Sequence, residues 1–179
     1  MRLASSCAPT GSAGNGEDYR TINPLGFVPA LQLEDGTVIT EGAAIAQYIA
    51  DQVPAMRFAP PNGTLERTKL QSWLNFIASE LQMGCFCPLF HATTSDLAKA
   101  MYRERLGSRV AHLNRHLAQK EYMLGESFSL PDAYLFVVLN WSRLAAFDLS
   151  SYVRVLGLRK RVGARPAVQA AMRAEGLRA

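Results

Sequence analysis

The chain has 179 residues, of which 49% are apolar and 19% are charged, and this composition excludes a disordered or collagen-like polymer. Its 19 Lys and Arg exceed its 15 Asp and Glu by a net charge of only +4, which is too small to indicate a polyanionic partner. The longest apolar run, residues 133–139, is too short to span a membrane, and the first residues do not resemble a secretory signal. Three cysteines are too few for the disulfide framework of a secreted protein, so we expect a cytoplasmic one.

The charge is unevenly divided along the chain. Residues 1–63 contain 3 basic and 6 acidic groups, a net charge of −3, whereas residues 64–179 contain 16 and 9, a net charge of +7. This difference indicates two units of different character. Before the first unit, residues 4–18 are rich in Ser, Gly, Ala and Thr and predict an irregular arm.

The first unit reads as strand, strand and helix. Residues 27–33 have a short strand pattern, the turn signal of residues 34–36 follows, and residues 37–39 form the second strand. Good helix formers with apolar residues at helical spacing occupy residues 43–50. Three prolines then mark a linker, so the predicted domains are residues 1–53 and 64–179.

Everything after the linker is predicted to be helical, because apolar residues recur at steps of three and four. The segment 85–88, which contains Pro88, is expected to kink or end the first of these helices. Ser129 and Asp132 resemble a capping box at the start of a helix that is apolar on every side, which predicts a position at the centre of a bundle. The predicted helices cover residues 70–81, 96–119, 129–139, 151–162 and 166–176.

Five strings of the sequence resemble bacterial glutathione transferases, and the beta class most of all, in the order that this family has them. They are NPLGFVPAL, LEDGTVITEGAAIAQYIAD, WLNFIASEL, FSLPDAYLFVVLNW and RPAVQAAMRAEGL. The similarity runs from about Glu17 to the end of the chain. The resemblance implies an α/β thioredoxin-like N-terminal domain, an all-α helical-bundle C-terminal domain, and a homodimer that binds glutathione at the domain boundary.

The resemblance assigns glutathione-binding roles to two places in the first unit. The Val28–Pro29 peptide would be cis, as it is in the family, and would leave the Val28 backbone free to pair with the cysteinyl backbone of glutathione. Glu41 and Gly42, where a strand passes into a helix, would receive the γ-glutamyl group. The alternatives are an edge-strand proline at Pro29 and simple helix capping by Glu41. Many family members have Ser in place of Gly42, so one hydroxyl contact is missing.

In the second unit, Asn75 and Ser79 lie four residues apart and match positions from which the partner subunit reaches glutathione in beta-class enzymes. The alternative is a solvated polar stripe.

The thiol-activating residues of the family match less well. Beta-class enzymes use a cysteine at the start of the first helix and a histidine on the first long helix of the second domain. Gln82 aligns with that histidine, and an amide cannot act as a titrating base. Cys7 is either a remnant of the catalytic cysteine or an incidental thiol. We expect the first strand, helix and strand of the family to be absent, because only 17 residues precede the matching segment.

Other candidate sites carry weaker signals. Cys85 and Cys87 lack the spacing of a redox motif, which favours packing. His112 and His116 have the i, i+4 spacing of metal ligands but no third ligand nearby, which favours solvent exposure and no metal site.

The leading hypothesis is therefore a glutathione S-transferase that adds the glutathione thiolate to small apolar electrophiles. The alternative is a protein of the same fold that binds ligands or a partner without turnover. A nucleic-acid module, suggested by the charge of +7 on the second unit, is the third possibility, and we expect no nucleic-acid partner because basic and aromatic residues do not interleave.

Overall fold

The structure, a computed structural model, describes residues 18–177. The chain divides into two compact units, one ending at Met56 and the other beginning at Arg57. Cys7 and the segment in which the first strand, helix and strand were expected to be absent lie outside the described residues. The predicted domain limits, 1–53 and 64–179, stay a prediction.

The described part of the first unit is built on a small antiparallel sheet. Strand β1, Ala30–Gln32, pairs with β2, Val38–Thr40, and the register opposes Leu31 to Ile39. Between the strands the Asp35 side chain accepts a hydrogen bond from the Thr37 N–H, at 2.9 Å. Gly36 has a φ of +85°, in the left-handed region that a glycine adopts without strain. The two predicted strands and their turn are therefore confirmed.

Helix α1, Gly42–Gln52, follows β2 and supplies the apolar contacts of this unit. Ile45 and Ala50 on α1 are buried, as is Tyr19 in a short 3-10 turn at Tyr19–Thr21. The predicted helix at residues 43–50 is confirmed, and the structure extends it by one residue at its start and two at its end.

The second unit is helical throughout its described length. Its fully buried core is lined by leucines and valines from each long helix, including Leu74, Leu106, Leu135 and Leu158. Its elements are α2, Leu65–Phe76; a π-helical segment, Ile77–Phe86; α3, Cys87–Phe90; α4, Asp96–His116; α5, Leu130–Leu139; α6, Val153–Gly163; and α7, Pro166–Ala174. The fold class expected from the sequence, an α/β unit followed by an all-helical one, is confirmed.

The first long helix of this unit widens into the π-helical segment before Pro88, and the helical run ends two residues after it, at Phe90. A proline has no N–H, and its ring collides with the carbonyl four residues earlier in a regular α-helix. Here the Cys87 N–H donates instead to the Gln82 carbonyl, five residues back. The backbone turn is close-packed at Gly84, where a Cβ would lie 2.6 Å from the Ser79 carbonyl oxygen. The expected kink is thus spread over ten residues as a wider helix.

Helix α5 occupies the centre of the second unit and packs against α2, the π-helical segment and α6. Its start is organised by Asp132, which is completely buried. The carboxylate accepts hydrogen bonds from the Ser129 N–H and hydroxyl, both at 2.8 Å, and from the Met123 N–H at 2.7 Å. Burial raises the pKa of Asp132, although these hydrogen bonds favour the carboxylate. The predicted capping box and central position are confirmed.

None of the helices in residues 18–177 is both long and apolar enough to cross a membrane.

Replacing Asp132 with Ala should lower the free energy of unfolding by about 3 kcal/mol, because it leaves buried N–H and hydroxyl donors without an acceptor. The matched control is Asp148→Ala. Asp148 also accepts hydrogen bonds from a serine N–H and hydroxyl, those of Ser150, but in an exposed loop. Urea unfolding measures both variants. Equal losses in the two would contradict the role assigned to burial at Asp132.

Replacing Gly84 with Ala should destabilise the protein by about 2 kcal/mol, because the new methyl group would collide with a backbone carbonyl that cannot move independently. Gly157→Ala is the control: Gly157 lies in α6 and a Cβ there meets nothing within 4 Å. That change should stabilise by about 0.5 to 1 kcal/mol, as alanine does in an open helical position. If urea unfolding finds Gly84→Ala as well tolerated as Gly157→Ala, the close packing of the π-helical segment is wrong.

Candidate functional site

The loop that leads to the Val28–Pro29 peptide is held by two buried side chains. The Phe27 carbonyl accepts hydrogen bonds from the Tyr19 hydroxyl, at 3.1 Å, and from the Asn23 amide nitrogen, at 2.7 Å. Tyr19 and Asn23 are 9% and 6% exposed, so both bonds are shielded from water. Burial also raises the pKa of the Tyr19 hydroxyl, which keeps it protonated as a donor. The Phe27 backbone, directly before Val28, is therefore held by hydrogen bonds from two side chains.

The Val28–Pro29 peptide bond is cis, as the resemblance implied. It lies between the fixed Phe27 carbonyl and the start of β1, and Val28 and Pro29 are both half-buried. The alternative of an ordinary edge-strand proline does not describe this position, because Pro29 precedes the strand that begins at Ala30.

Gly42 brings the start of α1 against the ring of Pro29. A Cβ on Gly42 would lie 3.5 Å from Pro29 Cγ and 3.6 Å from Cδ, which is ordinary contact distance. The first N–H groups of an α-helix have no acceptor within the helix, and the helix dipole places partial positive charge there. The structure therefore brings together two of the predicted binding elements, the cis peptide and the N-terminus of α1.

Glu41, the residue before α1, has a backbone conformation that is rare for a side-chain-bearing residue. Its φ is 68° and its ψ is 112°. The Glu41 carbonyl accepts hydrogen bonds from the N–H groups of Ala44 and Ile45, at 2.9 and 3.0 Å. The first hydrogen bonds of the helix are therefore made by the Glu41 backbone. The Glu41 carboxylate makes no capping hydrogen bond and is exposed. Helix capping by this side chain, the alternative weighed from the sequence, is therefore wrong. Strained backbone of this kind concentrates at ligand-binding positions.

In the second unit, Asn75 and Ser79 are exposed neighbours on one helical face. The Ser79 hydroxyl donates to the Asn75 carbonyl oxygen at 2.8 Å. Because its proton is committed to this bond, the Ser79 hydroxyl can offer an additional ligand only its lone pairs.

Gln82 lies in the π-helical segment and is half-buried. Its side-chain oxygen accepts a hydrogen bond from the Tyr134 hydroxyl of α5, with 2.6 Å between the two oxygens. Sequence reasoning singled out Gln82 but missed Tyr134, as it missed Tyr19 and Asn23. A phenol within the apolar run of α5 was the available signal for Tyr134, and the turn-forming Asn–Pro pair that begins with Asn23 was another.

The two cysteines near the end of the π-helical segment are buried. The Cys85 thiol is free and donates to the Glu80 carbonyl oxygen at 3.1 Å. Burial raises the pKa of the Cys85 thiol, which disfavours the reactive thiolate. Packing is therefore the role that the structure supports for Cys85.

Glu80 ties this segment to α4. Its carboxylate accepts Arg109 Nη2 at 2.8 Å and Arg105 Nη2 at 3.0 Å. The hydrogen bonds from Arg109, and then those from Arg105, lower the pKa of Glu80. These ion pairs, whose side chains are partly exposed, link the π-helical segment to α4.

The prediction of solvent exposure is correct for His112 and wrong for His116. His116 is half-buried: its Nε2 lies 2.8 Å from the Met123 carbonyl oxygen, and its ring centroid is 4.3 Å from that of Trp73. Burial lowers the pKa of His116. Within residues 18–177 no three His, Cys, Asp or Glu side chains cluster closely enough to hold a metal ion.

Comparison with known proteins places both units in one family. Residues 7–52 match the N-terminal domain of glutathione S-transferases, and residues 80–174 match their C-terminal domain. The glutathione S-transferase GstA of Escherichia coli O157:H7 is 42% identical over 164 residues, which are 92% of this chain and 81% of that relative.

Two solved structures extend the match to the fold. One is a beta-class glutathione S-transferase of Sphingomonas chungbukensis, with 42% identity and a TM-score of 0.89 over 94% of this chain and 84% of its own. The other is a sphingomonad glutathione S-transferase in complex with glutathione, with 42% identity and a TM-score of 0.89 over 94% of this chain and 83% of its own. Sequence and fold agree along both units, and the chain belongs to the glutathione S-transferase family.

Proposed function

We propose that the protein is a glutathione S-transferase that joins glutathione to small apolar electrophiles. The observation that carries the proposal is the closeness of Gly42, at the start of α1, to Pro29 of the cis peptide, whose ring a Cβ on Gly42 would meet at 3.5 Å, within a chain of this family. This closeness gathers backbone hydrogen-bonding groups and the positive end of a helix dipole in one place. A peptide that carries a carboxylate is the ligand that such a place suits.

In this proposal the γ-glutamyl and cysteinyl parts of glutathione each have a partner in the first unit. The γ-glutamyl carboxylate accepts N–H groups at the start of α1, and its ammonium donates to the exposed carboxylate of Glu41. The backbone of Val28 pairs with the cysteinyl backbone of glutathione, in the manner of an added strand. The hydroxyl that many relatives carry at Gly42 is missing, so the backbone N–H groups carry the carboxylate contact alone.

A homodimer is part of the same proposal. Asn75 and Ser79 are exposed and adjacent, and we propose that they reach the glutathione of the partner subunit. Since the Ser79 proton is committed to the Asn75 carbonyl, Ser79 would accept a hydrogen bond from the peptide, while the Asn75 side-chain amide can donate one.

The chemical step is the formation of a carbon–sulfur bond. The glutathione thiol loses its proton to solvent, the thiolate attacks the electrophilic carbon, and a leaving group such as chloride departs with its electron pair. Gln82 is the proposed hydrogen-bond donor to the thiolate. Cys7 is the second residue that we propose to act in catalysis. Removal of reactive electrophiles from the cytoplasm is the cellular role that this chemistry suits.

The test is a conjugation assay of the purified full chain with glutathione and an activated aryl halide. Turnover above a heat-killed control is expected. Absence of turnover together with retention on immobilised glutathione would instead support the alternative, a protein of this fold that binds glutathione without using it.

Glu41→Gln should raise the KM for glutathione about tenfold, because it removes a charged acceptor for the ammonium group. The kcat should change much less, since the carboxylate is remote from the sulfur chemistry. Glu34→Gln, which alters another exposed glutamate of the same unit, is the control and should leave both constants unchanged. Equal KM values for the Glu41 variant and the unmodified protein would rule Glu41 out of the binding site.

A further inference from the structure

Helices α6 and α7 lie in the longest stretch of the chain without an acidic residue. Residues 149–174 contain no Asp or Glu, but they contain six basic residues: Arg154, Arg159, Lys160, Arg161, Arg165 and Arg173. The ion pairs found within residues 18–177 include none of the six. Cations that no carboxylate compensates create a positive potential, which attracts anions.

Three of these side chains form a row along one side of α6, which we call the arginine row: Arg154, Arg161 and Arg165. Arg154 and Arg161 lie seven residues apart, which is about two turns of an α-helix and puts both on one face. Arg165 follows four residues later, and Ala164 before it still has a helical backbone. Arg159 and Lys160 lie on other faces of α6, because the same helical spacing turns them away from the row.

Aromatic rings hold two members of the arginine row in place. The guanidinium carbon of Arg161 lies 5.5 Å from the centroid of the Tyr122 ring, and its Nη2 donates to the Glu121 carbonyl oxygen at 2.6 Å. The guanidinium carbon of Arg165 lies 4.0 Å from the centroid of the Phe128 ring. The two rings pack edge to face, with 6.2 Å between their centroids. Two guanidinium groups are therefore held near each other, and a guanidinium that lies over a ring keeps N–H donors at its edge for an oxyanion.

The surface between Arg154 and Arg161 is open. Gly157 lies on the same face of α6 between them, and a Cβ there would meet nothing within 4 Å. Arg154 and Arg161 are exposed, and Arg165 is half-buried. A chain-like ligand can therefore lie along the helix and reach all three arginines.

The helix that carries the row is anchored at its start. The Asn114 side-chain oxygen, on α4, accepts hydrogen bonds from the N–H groups of Arg154 and Val155, at 2.9 and 3.3 Å. These backbone donors are already satisfied, so the row offers an anion its side chains rather than a helix N-terminus. Donors on a fixed helix lose less freedom when they bind than donors on a mobile loop.

We propose that the arginine row binds an acidic segment of a partner protein, through the carboxylates of its Asp and Glu side chains. The interaction is separate from glutathione conjugation and does not depend on it. Arginine pairs with carboxylates through two parallel N–H donors, and complementary charge selects the partner. Glu121 and Glu126, in the neighbouring loop, are exposed but form no ion pair with the row, so its charges stay available.

The shape of the arginine row favours a peptide over other polyanions. A single row suits an extended chain, whereas a membrane surface or a nucleic-acid duplex would engage a broad basic patch. A single-stranded nucleic acid gains affinity by stacking its bases on aromatic side chains. Here the Tyr122 and Phe128 rings each have an arginine over them, so they are not free platforms.

The experiment measures the fluorescence anisotropy of a labelled oligoglutamate peptide that is titrated with the full chain. We expect saturable binding that weakens as salt is added, and no binding of an oligoglutamine peptide of equal length. The double variant Arg154→Gln/Arg161→Gln should weaken binding about tenfold, because it removes two charged donors. Arg159→Gln/Lys160→Gln is the control: it removes the same charge from other faces of α6 and should weaken binding no more than about twofold.

Gly157→Glu tests the row without removing any of its contacts. The open surface accommodates the new side chain, and its carboxylate lies between Arg154 and Arg161, so binding of oligoglutamate should weaken about tenfold. Gly157→Gln has nearly the same size but no charge and should bind like the unmodified protein. Circular dichroism and urea unfolding confirm that each variant is folded.

Three outcomes would overturn the proposal. They are equal weakening by the two charge-matched double variants, a Gly157→Glu variant that binds oligoglutamate as before, and an unmodified protein that binds DNA oligonucleotides or phosphatidylserine vesicles more tightly than the peptide. No variant alters a proposed glutathione contact, so conjugation should continue in all of them. Loss of peptide binding with intact conjugation confirms that the two functions are separate, and an unmodified protein that conjugates glutathione but binds no oligoglutamate overturns this inference alone.

Discussion

The buried carboxylate of Asp132 is the interaction on which the second unit depends. A carboxylate without exposure is costly unless donors surround it, and Asp132 has three, from Ser129 and the Met123 N–H. These bonds set where α5 begins and join it to the loop before it. Helix α5 then serves as the surface on which α2, the π-helical segment and α6 pack. The position of Tyr134, and through it the orientation of Gln82, follows from that anchoring.

The π-helical segment is the second constraint, and it also fixes the hydrogen-bonded pair of Gln82 and Tyr134. Pro88 cannot continue a regular hydrogen-bond ladder, and Gly84 permits the backbone to close on the Ser79 carbonyl where a larger residue could not. The result is a wider turn that carries Gln82 within 2.6 Å of the Tyr134 hydroxyl. An amide in this position can supply a hydrogen bond over a wide pH range but cannot supply a base.

Much of the fold could be predicted from the sequence because its signals are local. The alternation in β1, the turn at Gly36, the cap formed by Ser129 and Asp132 and the apolar run of α5 each specify their own structure. The π-helical widening could not be predicted, because proline predicts only that an α-helix is interrupted. The burial of His116 was also missed, because it depends on a tryptophan from another helix. The hydrogen bond between Tyr134 and Gln82 could not be predicted either, because the two residues lie 52 positions apart in sequence.

The candidate site was predictable where a family motif fixes the backbone and unpredictable where side chains meet across elements. The cis peptide at Pro29 followed from the resemblance, whereas the role of Asn23 in holding the preceding loop needed coordinates. From the sequence, the Glu41 side chain could either cap α1 or bind a ligand. The structure excludes capping, because the side chain makes no capping hydrogen bond.

The central claim is that the start of α1 and the neighbouring cis peptide bind glutathione through its γ-glutamyl group. Isothermal titration calorimetry of the full chain with glutathione, and separately with cysteinylglycine, tests it most directly. We predict saturable binding of glutathione at one site per chain and at least about tenfold weaker binding of the dipeptide, which lacks the charged group that α1 and Glu41 would hold. Equal affinity for the two peptides, or no saturable heat with glutathione, would contradict the account.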